Sequence, residues 1–161
     1  MSNDMLVKLY QLPERDVFER MAQIGVSIKR AMALDKDKIL GFVRTHFPGS
    51  PGWANECERA LYMDPISCHI AVKDKQVIGF ACYNATAKGV FGPLGVAESE
   101  RNQRVGEALV RSCMISMREL GYAYAIIGWT GAYKFYERAV GAVVIEGTPP
   151  ETTVYKNLVS M

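Results

Sequence analysis

The chain has 161 residues, about half of them apolar (49%), which is enough for one well-buried core and too few for two comfortable domains. Lysine plus arginine (19) nearly balances aspartate plus glutamate (17), so the net charge of +2 gives no electrostatic case for nucleic acid or an anionic membrane, and any basic site must be local. No apolar run is long enough to cross a bilayer and the N-terminus MSNDMLVKLY lacks the basic-then-apolar layout of a secretory signal, so a cytoplasmic protein is expected.

In chain order, a short strand is expected over Leu6–Leu12, followed by a polar helix opened by Pro13. Residues 1–24 read as an N-terminal extension packed on a single domain that spans 1–161. From Gly25 the pattern sharpens. VSIKRAM reads as a strand, DKDKILGFVRTHF as an amphipathic helix capped by Asp35, and SPGWANECERALY as a second helix after a Pro/Gly break. SCHIAVKD and QVIGFACYNAT, β-branched and aromatic runs joined by a tight charged turn, predict an antiparallel hairpin. A strand from Gly89 to Val96 follows. A long helix then runs from about Val105 to Leu120, with Val105, Ala108, Leu109, Cys113, Met117 and Leu120 on one buried face, and Gly121 ends it. YAYAIIGW is the apolar run of a strand covered on both faces; its helical connection implies that it lies parallel to Gly89–Val96. AYKFYERAV predicts a short helix stopped by Gly141, before two terminal strands, AVVIEG and TVYKNLV. The expected class is mixed α/β, with a mostly antiparallel sheet, one parallel pair and flanking helices. Cys57, Cys68, Cys82 and Cys113 form no C-x-x-C pair and fall within apolar patterns, so they are expected as reduced core thiols with no metal.

The parallel pair carries the chemistry. Gly92, Pro93 and Gly95 interrupt the strand VFGPLGV, because proline has no N–H for a ladder and glycine weakens a strand, so a bulge or splayed edge is expected there. Backbone groups left unpaired by such a break are either wetted or reserved for a ligand with amides of its own. The next turn, RNQRVGEALV, places Arg101, Gln103, Arg104 and Gly106 at a helix start, where free N–H groups and a partial positive charge favour an anion. An amide-bearing arm ending in a pyrophosphate describes coenzyme A.

Gln103 to Ala108 spell Q-x-x-G-x-A across that helix start, and this element resembles the acyl-CoA signature of the GNAT superfamily of N-acyltransferases. AYKFYERAVGAVV is similar to a second element of the same family at the expected distance downstream, and the order of elements from about Val26 to the C-terminus resembles that fold, in the manner of small stand-alone bacterial members. The resemblance implies that main-chain groups of Leu94, Gly95 and Val96 hold the pantetheine arm and polarise the thioester carbonyl. It implies further that the amides of Arg104, Val105, Gly106, Glu107 and Ala108, with Gln103 and the Arg101 or Arg104 side chain, hold the pyrophosphate, and that Tyr133 contributes to the same cofactor site. Tyr136 matches the tyrosine that protonates the departing thiolate. Many members carry an asparagine between the parallel strand and the last helix; this chain has Trp129, Thr130 and Gly131 there.

An amine nucleophile must lose a proton, and Glu56 is the first candidate base, ahead of Glu58, His69 and Glu98. Trp53, Tyr62 and Tyr83 suggest a partly aromatic acceptor pocket. The expected activity is transfer of an acetyl group from acetyl-CoA to a primary amine, on a small molecule, peptide or protein, by direct attack in a ternary complex. A CoA-binding regulatory module is the alternative. A nucleotide-binding domain is disfavoured because no Walker A loop or G-x-G-x-x-G after a strand is present. Open edges at the terminal strands make a homodimer an expected possibility.

Overall fold

The computed structural model describes residues 1–160. Seven strands form one sheet: β1 (Asn3–Lys8), β2 (Ser27–Arg30), β3 (Cys68–Lys73), β4 (Gln76–Tyr83), β5 (Val90–Val96), β6 (Tyr124–Thr130) and β7 (Val143–Ile145). The helices are α1 (Val17–Gln23), α2 (Lys36–His46), α3 (Gly52–Leu61), α4 (Val105–Glu119) and α5 (Tyr133–Val140). Strand order is β2-β3-β4-β5-β6-β1-β7, and β5–β6 is the parallel pair in an otherwise antiparallel sheet. The expected mixed α/β class is therefore observed.

Two cores sit on the two faces of the sheet. On one, α4 lays Val105, Ala108, Leu109, Cys113 and Met117 against β4 and β5, together with α1 and α5. The spacing of those residues puts them on one stripe, as the sequence implied. Leu120 falls outside it and is exposed, because the helix has ended at Glu119 and Gly121 (φ +99°) has turned the chain. On the other face, α2 and α3 bury Ile39, Leu40, Cys57 and Ala60 over Ile70 and Phe80. The four cysteines are free thiols buried in the two cores.

At the C-terminus one expectation is corrected, and at the N-terminus the expected strand lies at Asn3–Lys8 and belongs to the sheet itself. It is an interior strand, β1, between β6 and β7, because Asn3, Met5 and Val7 alternate inward with period two and both edges find partners. The segment TVYKNLV is not a strand. Gly147 (φ +73°) turns the chain after β7, and the Thr148 side chain accepts from the Asp4 amide at 2.9 Å while its own amide donates to Asn3 Oδ1 at 3.1 Å. Pinned in this way to the start of β1, the tail runs in two 3-10 turns, Pro150–Thr152 and Val154–Asn157.

Candidate active site

β5 and β6 pair only at Val90–Ile126 and Phe91–Ile127, although β5 continues to Val96 and β6 to Thr130. Immediately beyond those pairs both strands bulge. Against β4, Ala81 faces Leu94 and Tyr83 faces Phe91, so β5 carries one extra residue at Gly92–Pro93. Against β1, Asn3 faces Thr130 and Met5 faces Ile127, which places a second irregularity at Gly128–Trp129. Trp129 takes up a positive φ of +48° there. A bulge increases local twist and turns a strand away from its neighbour. Hence the edge of β5 from Gly92 onward, facing β6, has no strand partner.

A cleft of about 660 Å³ opens along that edge, lined by Leu94, Gly95 and Val96 of β5 and by the turn and first residues of α4: Arg101, Arg104, Val105, Gly106 and Glu107. The turn is built by positive φ at Asn102 (+64°) and Arg104 (+69°), and no side chain caps the helix. The first intrahelical amide is that of Ala108, bonded to the Arg104 carbonyl at 3.1 Å, so the preceding amides are left for a ligand or water. A Cβ at Gly106 would meet nothing nearer than Phe135 at 3.6 Å, so the backbone there is open to close approach. The start of a 15-residue helix left uncapped in this way carries free N–H groups and a partial positive charge, which favour an anion.

Glu107 lines the cleft, and its side chain has a structural partner set. It is buried, and its carboxylate takes two bonds from Arg15 (2.8 and 3.1 Å) and two from Arg104 (3.2 and 3.1 Å). Burial alone would raise its pKa; the two guanidiniums overcome that and hold it at about 2. Arg104 also pairs with Asp16 at 2.8 Å, so it closes the floor of the cleft as part of a clamp. Arg101 is exposed, its Nε donating to the Val96 carbonyl at 3.2 Å. Arg15 and Arg138 add positive charge to the lining and carried no signal in the sequence. Phe47 and Trp53, ring centroids 5.2 Å apart, form the aromatic wall over Gly95.

Several expected site residues lie elsewhere. Gln103 and Ala108 are outside the cleft lining, and Ala108 is fully buried in the core. Tyr133 accepts from Asn3 Nδ2 at 2.9 Å and donates to the Met1 carbonyl at 3.2 Å, which ties α5 to the N-terminus. Tyr136 is buried against Phe91 and Phe135 (6.1 and 4.9 Å between centroids), and burial pushes its phenol up; α5 turns Phe135 and Arg138 into the cleft. His69 is held between Ser112 (2.7 Å) and Ser116 (3.0 Å), and burial lowers its pKa to about 4. Tyr83 is buried with its hydroxyl bonded to Arg30, and Tyr62 is exposed beside Lys36, so of the three proposed acceptor aromatics only Trp53 reaches the cleft.

Glu56 is half-buried on α3 and accepts a short hydrogen bond from the Thr86 hydroxyl. Burial raises its pKa, and the Thr86 bond partly offsets this. Tyr155, from the C-terminal tail, completes the group. Its hydroxyl stands against Gly128, where a Cβ would collide with it. Its ring packs edge-on to Trp129 at 5.0 Å. Neither Thr86 nor Tyr155 was marked by any local pattern in the sequence.

The model of the Acetyltransferase (GNAT) family matches residues 44–142. No curated protein matches in sequence. Among solved structures, the GCN5-related glucosamine N-acetyltransferase region of a fungal multi-domain GH3 β-N-acetylglucosaminidase is similar at 15% identity over 89% of this chain and 20% of that one, with a TM-score of 0.74. A GCN5-related N-acetyltransferase from Sphaerobacter thermophilus gives 18% identity, 89% and 48% coverage and a TM-score of 0.62. A GNAT family acetyltransferase from Brucella melitensis, solved with acetyl-CoA, gives 17% identity, 79% and 92% coverage and a TM-score of 0.56. The chain thus spans a fifth and about half of the length of the first two. A parted parallel strand pair that opens onto an uncapped helix start, within a family match over most of the chain, makes this protein a member of the GNAT acetyltransferase family.

Proposed function

We propose that the cleft binds acetyl-CoA and that the protein transfers its acetyl group to a primary amine by direct attack in a ternary complex. The observation that carries this is the end of the parallel ladder at Phe91–Ile127, with the free α4 amides at the outlet of the gap. The unpaired edge of β5 at Leu94 and Val96 suits the amides of the pantetheine arm, and a main-chain N–H there would stabilise charge developing on the thioester oxygen. The amides of Arg104 to Glu107 and the exposed Arg101 suit the pyrophosphate. Glu56 serves as the base for the amine: it is held by Thr86, and burial makes it a better proton acceptor than a solvated glutamate.

Calorimetry with CoA, ATP and NAD in parallel tests the binding half, and preference for ATP or NAD would overturn it. CoA release over a panel of amino sugars, polyamines, aminoglycosides and peptide N-termini tests the transfer half. Amino sugars head the panel because the fungal neighbour is a glucosamine N-acetyltransferase region. Tight CoA binding without release for any amine would instead identify a CoA-binding module.

A further inference from the structure

We propose that Cys57, Cys68 and Cys82 form a binding site for a soft, thiophilic ion, and that the ion which suits it is a trivalent one, such as the arsenic of arsenite. The site is separate from the cleft and independent of the acetyl-transfer reading.

The geometry carries it. Cys68 of β3 and Cys82 of β4 face each other in the antiparallel register, and Cys57 stands over the pair from α3, so three elements bring three thiols to one point. Their Sγ atoms all lie within 4.8 Å of one another, with those of Cys57 and Cys68 4.0 Å apart, and all three residues are 0% exposed. Among the described residues this is the only group of three or more metal-ligating side chains so gathered. Three sulfurs at about 2.3 Å from one ion stand about 4.0 Å apart when the ion lies in their plane, and closer when it lies out of it. A small side-chain adjustment would therefore close the thiols round an ion. A second cleft, of about 280 Å³, gives a route from solvent: Val43, Arg44 and Ala54 line it, and Ala54 is one turn of α3 before Cys57.

Donor count and charge choose the ion. Three donors leave zinc without the fourth ligand of a structural site, and the thiols share their core with Ile39, Ala60, Ile70 and Phe80, all apolar. A divalent ion held by three thiolates would bring one net negative charge into that core and a monovalent one would bring two, at a high desolvation cost. A trivalent ion makes a neutral complex. Arsenite arrives uncharged as As(OH)3 and leaves no charge behind: three As–S bonds replace three As–O bonds, each thiol proton departs with a hydroxide as water, and arsenic stays As(III). Cys57 is the thiol that attacks first. Its hydrogen bonds with Cys68 and Cys82 lower its pKa, whereas Cys68 is raised by its bond to Cys57 and by burial, and Cys82 by burial.

Arsenite alone is the probe, added to the full chain reduced with a phosphine, because a dithiol reductant would itself take the ion. Native mass spectrometry is expected to show one arsenic per chain with three protons lost, and X-ray absorption at the arsenic edge to show three sulfur neighbours and no oxygen. Cys57→Ala, Cys68→Ala and Cys82→Ala should each weaken arsenite binding in equilibrium dialysis about tenfold or more, since only two thiols remain. Cys113→Ala, in the core on the other face of the sheet, should bind as wild type does. Offered zinc and arsenite together, the wild type should retain arsenic. A folded wild type that retains no arsenic or prefers zinc, an oxygen neighbour on the bound arsenic, or a C113A protein that loses as much affinity as C57A would each overturn the proposal. The wild-type absorption spectrum decides the matter even where an alanine variant does not fold.

Discussion

Glu107→Gln separates the structural part of the cleft from its binding part. The Glu107 side chain is 5% exposed and shared by Arg15 and Arg104, and its pKa is held at about 2 against an ordinary 4.5. A carboxylate whose folded pKa is depressed stabilises the fold above its unfolded pKa, and the stabilisation is lost as pH falls through the folded one. That depression corresponds to about 3 kcal/mol, present in full above roughly pH 5, about half gone near pH 3 and nearly absent at pH 2. Urea unfolding at a series of pH values would measure it. With a slope of about 2 kcal/mol per molar, wild type and E107Q should differ by about 1 to 2 M in midpoint at pH 6.5 and converge in acid. A difference that stays constant from pH 6.5 to pH 3 would refute the reasoning, because the loss would then come from packing and not from the carboxylate's charge.

The remaining predictions are simpler. Gly106→Leu should weaken CoA binding about tenfold or more while leaving the melting temperature nearly unchanged, since a Cβ there meets only ordinary contacts at 3.6 and 3.7 Å; calorimetry and thermal melting read the two effects. Gly95→Ala puts a Cβ 2.5 to 2.9 Å from three Phe47 ring atoms and should cost about 1–3 kcal/mol; in a Phe47→Ala background most of that cost should vanish, which a double-mutant cycle measures. His69 should titrate near pH 4 by NMR; because its folded pKa is depressed below the ordinary 6.5, it should make stability fall as pH drops from about 6.5 to 4, above the Glu107 window, and His69→Gln should flatten that slope.

How much of this was legible varies with the range of the interaction. The break in β5 was, because Gly92, Pro93 and Gly95 act through their own backbone, and the extra residue sits at Gly92–Pro93. The α4 start was legible for the same local reason. Which of Phe135 and Tyr136 faces the cleft was not. Adjacent helical residues point about 100° apart, and only the packing of Tyr136 on Phe91 settles the choice. The Glu56 position was reached from composition near an expected pocket, but its partners Thr86 and Tyr155 come from a loop and a tail with no periodic pattern. The inward alternation of Asn3, Met5 and Val7 announces a strand without saying that β6 and β7 flank it.

That placement of β1 explains why the gap is an intrinsic feature of the sheet. β6 is paired along its far edge by β1 from Tyr124 to Thr130, so swinging β6 back against β5 would drag β1 and β7 with it. The two bulges begin at Gly92 and Gly128, each one residue past the last parallel pair, so closing the gap would also require both strands to lose their extra twist together. Even then Pro93 has no N–H to offer the ladder. The unpaired β5 edge is therefore enforced by strand chemistry before any ligand arrives, and its free amides and carbonyls remain available to whichever amide-bearing chain enters the cleft.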